Sequence, residues 1–302
     1  MPGIFKKALL KGYYSGGYKF LSFLPDKTVI RFLYRLFSGE KPDVEDPTSF
    51  NEKLQWLKLN DRSPQYTVMV DKKLAKDYTA GIIGKEYIIP TLFCFDKAEE
   101  INFEKLPEQF VLKCNHNSGT GMYICKAKSK LSEKEKKCIV AMLKKGLSEN
   151  YYAINREWPY KNVKRCIIAE KYLETVDDDL PDYKFHCFGG KVKLILVCKN
   201  RFGKSGMTED FFDENWTHLP VKRLSHPNSG TDIPRPEQLE DMIGLAETLS
   251  KDIPFIRVDF FISEGRVYFG ELTFFPASGF EKFIPEEWDK KLGDFLELPK
   301  KQ

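Results

Sequence analysis

The 302-residue sequence has no apolar run long enough to span a bilayer and no C-x-x-C pair. A spanning helix needs about 20 consecutive apolar residues, so no transmembrane segment is expected. The seven cysteines are odd in number and several lie in predicted strands, which favours reduced core thiols over disulfides or structural zinc. No small-residue cleavage site follows the N-terminus. These features predict a cytoplasmic protein.

The sequence also lacks the motifs of several catalytic and nucleotide- or nucleic-acid-binding classes of protein. The four histidines are scattered, and no Ser-His-Asp or Cys-His set needs to be invoked. No Walker A motif, internal repeat or low-complexity segment occurs. Basic residues are dispersed, and the net charge is only +4, so a nucleic-acid partner is not expected. That charge is compatible with an acidic glycan or small-molecule substrate.

The stretch IRVDFFISEGRVYFGELTFFPASGF, residues 256–280, places three charges in an apolar hairpin. Arg257, Asp259 and Glu271 interrupt runs that otherwise predict core strands. A charge in a half-buried strand costs several kcal/mol unless it is paired or holds a metal. One interpretation is a structural salt bridge. The other is a magnesium site that two carboxylates share with the phosphates of a nucleotide.

The register of the hairpin decides whether these side chains meet, because successive residues of a strand face opposite sides. A three-residue loop ending on Gly265 would pair Arg257 with Glu271 and leave Asp259 diagonal to Glu271. A two-residue turn of Glu264 and Gly265 would send Glu271 to the opposite face. The site hypothesis therefore requires the three-residue loop or a bulge.

A second feature is FVLKCNHNSGTGMYICKAK, residues 110–128, which predicts strand, Gly-rich loop, strand. The loop is rich in residues that tolerate positive φ and expose backbone N–H groups, as a phosphate cradle needs. Lys113 lies two residues before it. A plain turn is the alternative interpretation. His116 is expected either to contact phosphate or to stabilise the loop.

The third feature, residues 166–201, begins with an apolar strand that leads into Glu170–Leu173. After an acidic loop, two strands joined at Gly189 and Gly190 are predicted. Exposed backbone at the end of the first strand is suited to recognise adenine. Lys184 is expected to face the same cleft, with an ordinary solvent-facing lysine as the alternative.

Taken in order, the segments resemble the ATP-grasp superfamily and most closely its TupA-like branch, named for teichuronopeptide biosynthesis. The resemblance covers roughly residues 45–297 and rests on SFNEKLQWLKLNDR, VDKKLAKDY, FVLKCNHNSGTG, AEKYL, DYKFHCFGGKV, DFFDENW and the hairpin. It implies an α+β fold in which two α+β subdomains with antiparallel sheets clamp ATP. It also implies that a carboxylate is phosphorylated to an acyl-phosphate, which an amine attacks to form an amide.

The expected division is an N-terminal helical extension (1–44), an N-terminal subdomain (45–109), a lid subdomain (110–172) and a catalytic subdomain (173–302). By the resemblance, the phosphoryl group is contacted by Arg257 and Lys113, and magnesium by Asp259, Glu271 and Thr273. The residues expected to bind ATP are Lys72, Lys113, Asn117, Ser118, Gly119, Thr120, Gly121, Glu170, Lys171, Tyr172, Leu173, Asp182 and Lys184.

Thr273 is a departure from the pattern, because many amide-forming relatives carry Asn at this position. An asparagine carbonyl is a better magnesium ligand than a neutral hydroxyl. The second metal ion is therefore expected to be held more loosely or through water, which weighs against amide ligation and not against ATP binding.

Candidate substrate residues are fewer. Arg201, Lys204 and Arg223 flank a Gly-containing loop and the aromatic cluster Phe211, Phe212 and Trp216, which suits a sugar face and an anionic group. The alternative is a solvated basic loop over a satellite core. By resemblance, Ser278 and Gly279 bind a substrate carboxylate.

Residues 1–40 are basic and aromatic, and Thr28–Phe37 predicts a short helix. Such a segment is expected to lie on the inner face of an anionic membrane, to contact a glycan-assembly partner, or to pack on its own domain or a second subunit. Further along, hydrophobic spacing predicts a capped helix at Ser49–Lys58 and a strand at Ile88–Phe95. Helices are also predicted at Asp71–Ala80, Ser132–Leu147 and Glu237–Ser250.

The leading functional hypothesis is an ATP- and Mg²⁺-dependent carboxylate–amine ligase. It would join an amine donor to a uronic acid in the biosynthesis of a bacterial capsule or teichuronopeptide-like surface polysaccharide. A phosphotransferase acting on a sugar hydroxyl would use the same ATP residues. A glycosyltransferase would not explain Lys113 and its loop, and a non-catalytic glycan-assembly protein is the remaining alternative.

Overall fold

The computed structural model describes residues 3–175, 179–201, 203 and 206–300, and for residues 3–8 the backbone alone. The first third of the chain is mainly helical. Its helices are α1 (Gly3–Tyr14), α2 (Asp26–Ser38), α3 (Phe50–Asn60), α4 (Gln65–Val70) and α5 (Leu74–Ile83). None of the helices in the described ranges combines the length and the apolarity needed to cross a membrane.

A four-stranded antiparallel sheet follows. Its strands are β1 (Thr91–Phe95), β2 (Phe110–Cys114), β3 (Met122–Cys125) and β4 (Ile167–Lys171), in the order β1-β4-β2-β3. Helices α6 (Glu133–Ser148) and α7 (Tyr151–Asn155) lie between β3 and β4. Phe110, Leu112 and Cys114 of β2 pack with Ile139 and Leu143 of α6 in a core of their own.

A five-stranded antiparallel sheet forms the second half. Its strands are β5 (Asp182–Phe188), β6 (Lys191–Lys199), β7 (Thr208–Phe212), β9 (Phe255–Ser263) and β10 (Arg266–Thr273), in the order β10-β9-β5-β6-β7. The short strands β8 (Lys222–Arg223) and β11 (Phe283–Ile284) pair with each other. Helices α8 (Leu239–Leu249) and α9 (Glu287–Phe295) complete this half.

The five-stranded sheet has one apolar face and one charged face. Phe185, Val258 and Phe260 alternate inward along β5 and β9 and join the main core, to which α8 contributes Met242 and Ala246. The charged residues of the same strands therefore share the opposite face. This alternation places the candidate site on the sheet and away from the core.

Most predicted elements are confirmed. The predicted helices at Ser49–Lys58 and Ser132–Leu147 correspond to α3 and α6, and both begin with a capping box, made by Ser49 and by Ser132. The prediction of a helix at Asp71–Ala80 was wrong in its bounds. Asp71 is extended, and its carboxylate accepts the N–H of Lys73, so α5 begins only at Leu74.

The predicted strand at Ile88–Phe95 also begins later, at Thr91. A 3-10 turn at Lys85–Tyr87 precedes it, and the ring of Pro90 can supply no N–H to a ladder at that position.

The turn of the β9–β10 hairpin is not the three-residue loop ending on Gly265 that the sequence analysis considered. Arg266 pairs with Ser263, so Glu264 and Gly265 form a two-residue turn in which both have positive φ. A bulge at Gly270 then shifts the register, and Glu271 pairs directly with Asp259. The bulge returns Glu271 to the charged face. The predicted pairing of Arg257 with Glu271 was wrong, because Arg257 lies opposite Thr273.

Gly270→Ala should lower the free energy of unfolding by about 1–3 kcal/mol. A Cβ at this position would lie 3.0 Å from Cε2 of Phe261 and 3.1 Å from the carbonyl oxygen of Asp259, so the bulge would have to shift. Urea unfolding measures the change.

Gly244→Ala is the matched control. Gly244 is exposed within α8, and a Cβ there would meet no atom within 4 Å. This substitution should raise the free energy of unfolding by about 0.5–1 kcal/mol. Equal stability of Gly270→Ala and wild type would contradict a close approach at the bulge.

Candidate functional site

The charged face of the five-stranded sheet is organised around Arg257. Its Nε and Nη2 donate to the two oxygens of Asp259 at 2.6 and 2.7 Å, and Nη2 also donates to Glu271 Oε1 at 2.9 Å. The hydroxyl of Thr273 accepts from Nη2 at 3.1 Å. Lys184, opposite Asp259 on β5, donates to the Oδ2 of that residue. The pairs across β5, β9 and β10 thus form one buried network.

These groups are held in their charged forms by one another. Burial opposes ionisation of Glu271, but Lys72, Arg257 and Lys184 outweigh it and lower the pKa of Glu271 well below its usual range. Burial likewise opposes protonation of Lys184, while Asp182 and Asp259 raise the pKa of Lys184. Lys72 Nζ lies 3.4 Å from Glu271 Oε2.

A second charge cluster lies on the four-stranded sheet. Glu170 of β4 is buried between two lysines, with Lys113 Nζ at 2.6 Å from its Oε2 and Lys76 at its Oε1. Lys76 also donates to the carbonyl of Ile89 at 2.7 Å and to the hydroxyl of Thr91 at 2.9 Å. Although burial opposes ionisation, Lys113 and Lys76 lower the pKa of Glu170. Glu170 is therefore the counter-ion of the predicted phosphate-binding Lys113.

Sequence reasoning missed Lys76. It follows Lys72 by four residues in VDKKLAKDY, and a 3.6-residue spacing would have placed both on one helical face. In the structure Lys72 precedes α5 and Lys76 lies within it, yet each reaches one of the two charge clusters.

A cavity of about 510 Å³ lies at the junction of the two sheets. Val111, Lys113 and Tyr123 line it from the four-stranded sheet, and Phe261 lines it from the five-stranded sheet. The predicted adenine-binding residues Glu170, Lys171, Tyr172 and Leu173 all line the same cavity, as does Arg201. Its polar end contains Lys113 and Glu170, while Leu173 packs with Phe261 and Ile89 to make an apolar end.

The Gly-rich loop is anchored at both ends and exposed at its tip. Asn117 is buried and donates to the carbonyl of Gly146, and Thr120 donates to Glu149 at 2.5 Å. Gly121 has a φ of +63°, and a Cβ there would lie 2.7 Å from Cys114 Sγ. Between these anchors, Ser118 and Gly119 are exposed. The tip is thus the part of the loop that faces solvent.

Asn115, which sequence reasoning did not select, ties the loop to the rest of the site. Its side-chain nitrogen donates to Asp71 and to the carbonyl of Lys164, both at 2.9 Å. The backbone carbonyl of Asn115 accepts the N–H of Lys72 at 3.0 Å. Lys72 Nζ in turn donates to the carbonyl of Asn117 at 2.8 Å. Lys72 therefore connects the Gly-rich loop to Glu271.

Of the remaining predicted site residues, Asp182 joins the charged network, whereas Ser278 and Gly279 lie elsewhere. Asp182 is buried and accepts from Lys184 at 2.6 Å and from Arg201 at 2.7 Å, so it continues the charged network. Ser278 is buried apart from the cavity, with its hydroxyl bonded to Glu157 at 2.6 Å. Gly279 is its neighbour in the same turn. Lys204 lies outside the described residues.

The aromatic cluster is not a sugar-binding face. Phe211 and Phe212 are buried in the main core, and Trp216 stacks on Phe212 with ring centroids 4.3 Å apart. The indole N–H donates to the carbonyl of Ile233 at 3.1 Å. The prediction of a sugar platform here was wrong, because these rings pack inward from the edge strand β7 and the turn after it.

Comparison with known families identifies the chain. The model of the TupA-like ATPgrasp family matches residues 52–297. The chain belongs to the TupA-like ATP-grasp family. This match confirms the resemblance drawn from the sequence, and the α+β ATP-grasp fold accords with the two antiparallel sheets. A search of curated proteins found no match.

Solved structures with similar folds include D-alanine–D-alanine ligases. The Bacillus anthracis enzyme complexed with ATP has a TM-score of 0.41 at 17% identity, covering 76% of this chain and 63% of that chain. The Helicobacter pylori enzyme has a TM-score of 0.42 at 17% identity, covering 83% and 70%. The ATP-grasp ligase PsnB with its minimal precursor has a TM-score of 0.38 at 10% identity, covering 70% and 54%. This chain thus spans less than two thirds of the first of these structures.

Glu170→Gln should lower the free energy of unfolding by about 3 kcal/mol, because it leaves two partly buried lysines without a carboxylate. Urea unfolding measures the change. Glu99→Gln is the matched control, since the Glu99–Lys144 pair, 2.6 Å apart, is exposed and should contribute little to stability. Similar small losses in both variants would contradict a buried charge cluster at Glu170.

His116 should make stability depend on pH. Its Nε2 lies 3.1 Å from the carbonyl of Glu149, Nδ1 has no partner among the described residues, and burial lowers the pKa of His116 to about 4. The unfolded chain binds this proton near pH 6.5, so stability is complete above that pH and falls as the pH approaches 4, by about 3 kcal/mol.

Urea unfolding at pH values across this window measures the loss for wild type and for His116→Gln. The variant should lose less stability on acidification. Part of the loss should persist, because burial also lowers the pKa of His186. An identical pH dependence in the two proteins would contradict a neutral His116 in the folded state.

Proposed function

We propose that this protein is an ATP-dependent carboxylate–amine ligase of bacterial surface polysaccharide biosynthesis, acting through an acyl-phosphate. The observation that carries the proposal is the presence of two cation-rich charge clusters, one against each sheet. Lys113 and Lys76 lie on one side of the site, and Arg257, Lys184 and Lys72 lie on the other. These five cations are paired with four carboxylates, Glu170, Asp182, Asp259 and Glu271, and they suit a polyphosphate that enters between the sheets.

The cavity supports ATP as that ligand. Its apolar end, formed by Leu173, Phe261 and Ile89, suits a purine ring. Its polar end contains Lys113, next to the strand that leads into the Gly-rich loop. The exposed tip of that loop provides a lid, and closure would keep water from a reactive acyl-phosphate.

Asp259 and Glu271 are the groups suited to hold magnesium. The described residues contain no cluster of three or more His, Cys, Asp or Glu that could hold a metal ion. Two carboxylates are too few for a complete magnesium site, so the ion would be shared with phosphate oxygens and water. When bound, it would neutralise charge on the transferred phosphoryl group.

Arg257 is suited to exchange its partners when phosphate binds. Its fork now contacts two carboxylates and the hydroxyl of Thr273. Phosphate oxygens can replace carboxylate oxygens on the same N–H groups with little change in geometry. Phosphoryl transfer depends on such alignment and charge neutralisation, and it needs no protein nucleophile.

Glu271→Gln should lower ATP-dependent ADP release by at least about 100-fold, because one negative ligand for magnesium is lost.

Lys113→Met should weaken ATP binding, measured by calorimetry with magnesium, by about tenfold or more. Lys130→Met, on a short 3-10 turn beyond the lid hairpin, is the matched control and should bind like wild type.

Hydroxylamine separates ligation from the phosphotransferase alternative. An acyl-phosphate formed from a uronic acid would be trapped as a hydroxamate with release of phosphate and ADP, whereas a sugar kinase would give ADP and a stable sugar phosphate. ADP release without hydroxamate from any uronic acid would favour the kinase.

Full activity of Glu271→Gln would contradict the proposed metal site.

A further inference from the structure

The N-terminal extension carries most of the excess positive charge of the molecule. Within the extension, residues 1–39 contain seven lysines and arginines and a single acid, Asp26, whereas residues 40–44 add Glu40, Lys41 and Asp43. Residues 40–302 together contain 41 basic and 43 acidic residues. The family match begins at residue 52, so this basic segment lies outside the matched region. The charge is therefore a feature of the extension and not of the ATP-grasp portion.

The inner side of the extension is fixed to the protein. Arg156 donates to the carbonyl of Leu21 at 2.6 Å, and Asp26 accepts from Tyr152 at 2.6 Å and from Arg62 at 2.9 Å. The one acid of the segment is thus occupied by internal partners. The outer side is consequently held in a defined orientation and presents almost no negative charge of its own.

That outer side exposes two aromatic rings. Phe20 and Phe23 are 79% and 81% exposed, the highest values among the large hydrophobic side chains in the described part of the chain. They lie three residues apart in the turn between α1 and α2, beside the exposed Lys19. Tyr14 is also exposed, at 44%. Fully exposed phenylalanines are unfavourable in water unless another phase or partner covers them.

Helix α2 continues the same pattern. Its buried residues occupy one face, and Arg35 lies on the opposite face, with Arg31 four residues and Phe32 three residues before it. Phe32 is 42% exposed. Lys27 and Arg31 contact Glu45, which follows the segment and offsets part of this charge. The outer face as a whole remains cationic and aromatic.

We propose that this face, Lys11 to Arg35, docks the protein on an anionic membrane surface. Phe20 and Phe23 would enter the boundary between headgroups and acyl chains, and the flanking lysines and arginines would contact lipid phosphates. A second copy of the chain is a poor occupant, because it would bring two cationic faces together. The proposal does not depend on the catalytic assignment.

Vesicle flotation with the full chain tests the proposal. Wild type should bind vesicles of equimolar phosphatidylcholine and phosphatidylglycerol and should be released by salt. The double variant Phe20→Ser/Phe23→Ser should bind at least about tenfold more weakly. Lys11→Glu/Lys19→Glu should weaken binding by about fivefold or more for each lysine. Leu224→Ser is the control, because Leu224 is 65% exposed outside the extension and should bind like wild type.

Three results would overturn the proposal: no flotation of wild type, equal binding to pure phosphatidylcholine, or wild-type binding by the phenylalanine variant. A dimer in solution that the phenylalanine variant dissociates would also overturn it, in favour of a second copy. ATP binding by the same preparations shows that each variant is folded. Loss of flotation with unchanged ATP binding supports the proposal whatever reaction the protein catalyses.

Discussion

The contacts of Arg257 impose the constraint on which the hairpin and the site both depend. One guanidinium reaches Asp259 on its own strand and Glu271 on the next strand, which requires the two carboxylates to lie side by side. Strict alternation from the two-residue turn would place Glu271 against the apolar core. The bulge at Gly270 prevents this. The register of β10 and the existence of the charged network are therefore the same structural fact.

Charge balance explains how so many ionised groups lie together in the site. It also indicates that the site is suited to bind an anion. At the five-stranded sheet, four cations face three acids: Arg257, Lys184, Lys72 and Arg201 against Asp259, Glu271 and Asp182. On the four-stranded sheet, two lysines share Glu170. The site thus has an excess of positive charge where an anion would enter. A polyanion can displace carboxylates from the cations, and a divalent ion can then satisfy the displaced carboxylates.

Much of this arrangement could be predicted from the sequence, because charges in apolar strands and a Gly-rich loop between strands are local signals. The hairpin residues, Lys113 and the loop were found in this way. The sequence left a three-residue loop and a bulge open as alternatives, and it could not decide between them because a single residue sets the register. Lys76 was missed although the helix predicted from Asp71 places it on the same face as Lys72, because its partner Glu170 lies far away in the sequence. The aromatic cluster was misassigned because sequence does not distinguish an edge strand that packs inward from one that faces solvent.

The turn after β10 shows why the surroundings of the predicted substrate residues Ser278 and Gly279 are harder to infer from sequence than those of the hairpin residues. Ala277 and Ser278 have positive φ, which costs about 1–3 kcal/mol for each non-glycine residue. Lys58 from α3 donates to the Ser278 carbonyl at 2.7 Å, and Glu157 accepts from its hydroxyl, so contacts from distant segments offset the strain. A substrate carboxylate at this turn would have to use backbone N–H groups or compete with Glu157 for the hydroxyl. Since Lys58, Glu157 and the turn itself come from three separate parts of the chain, only the folded structure brings them together.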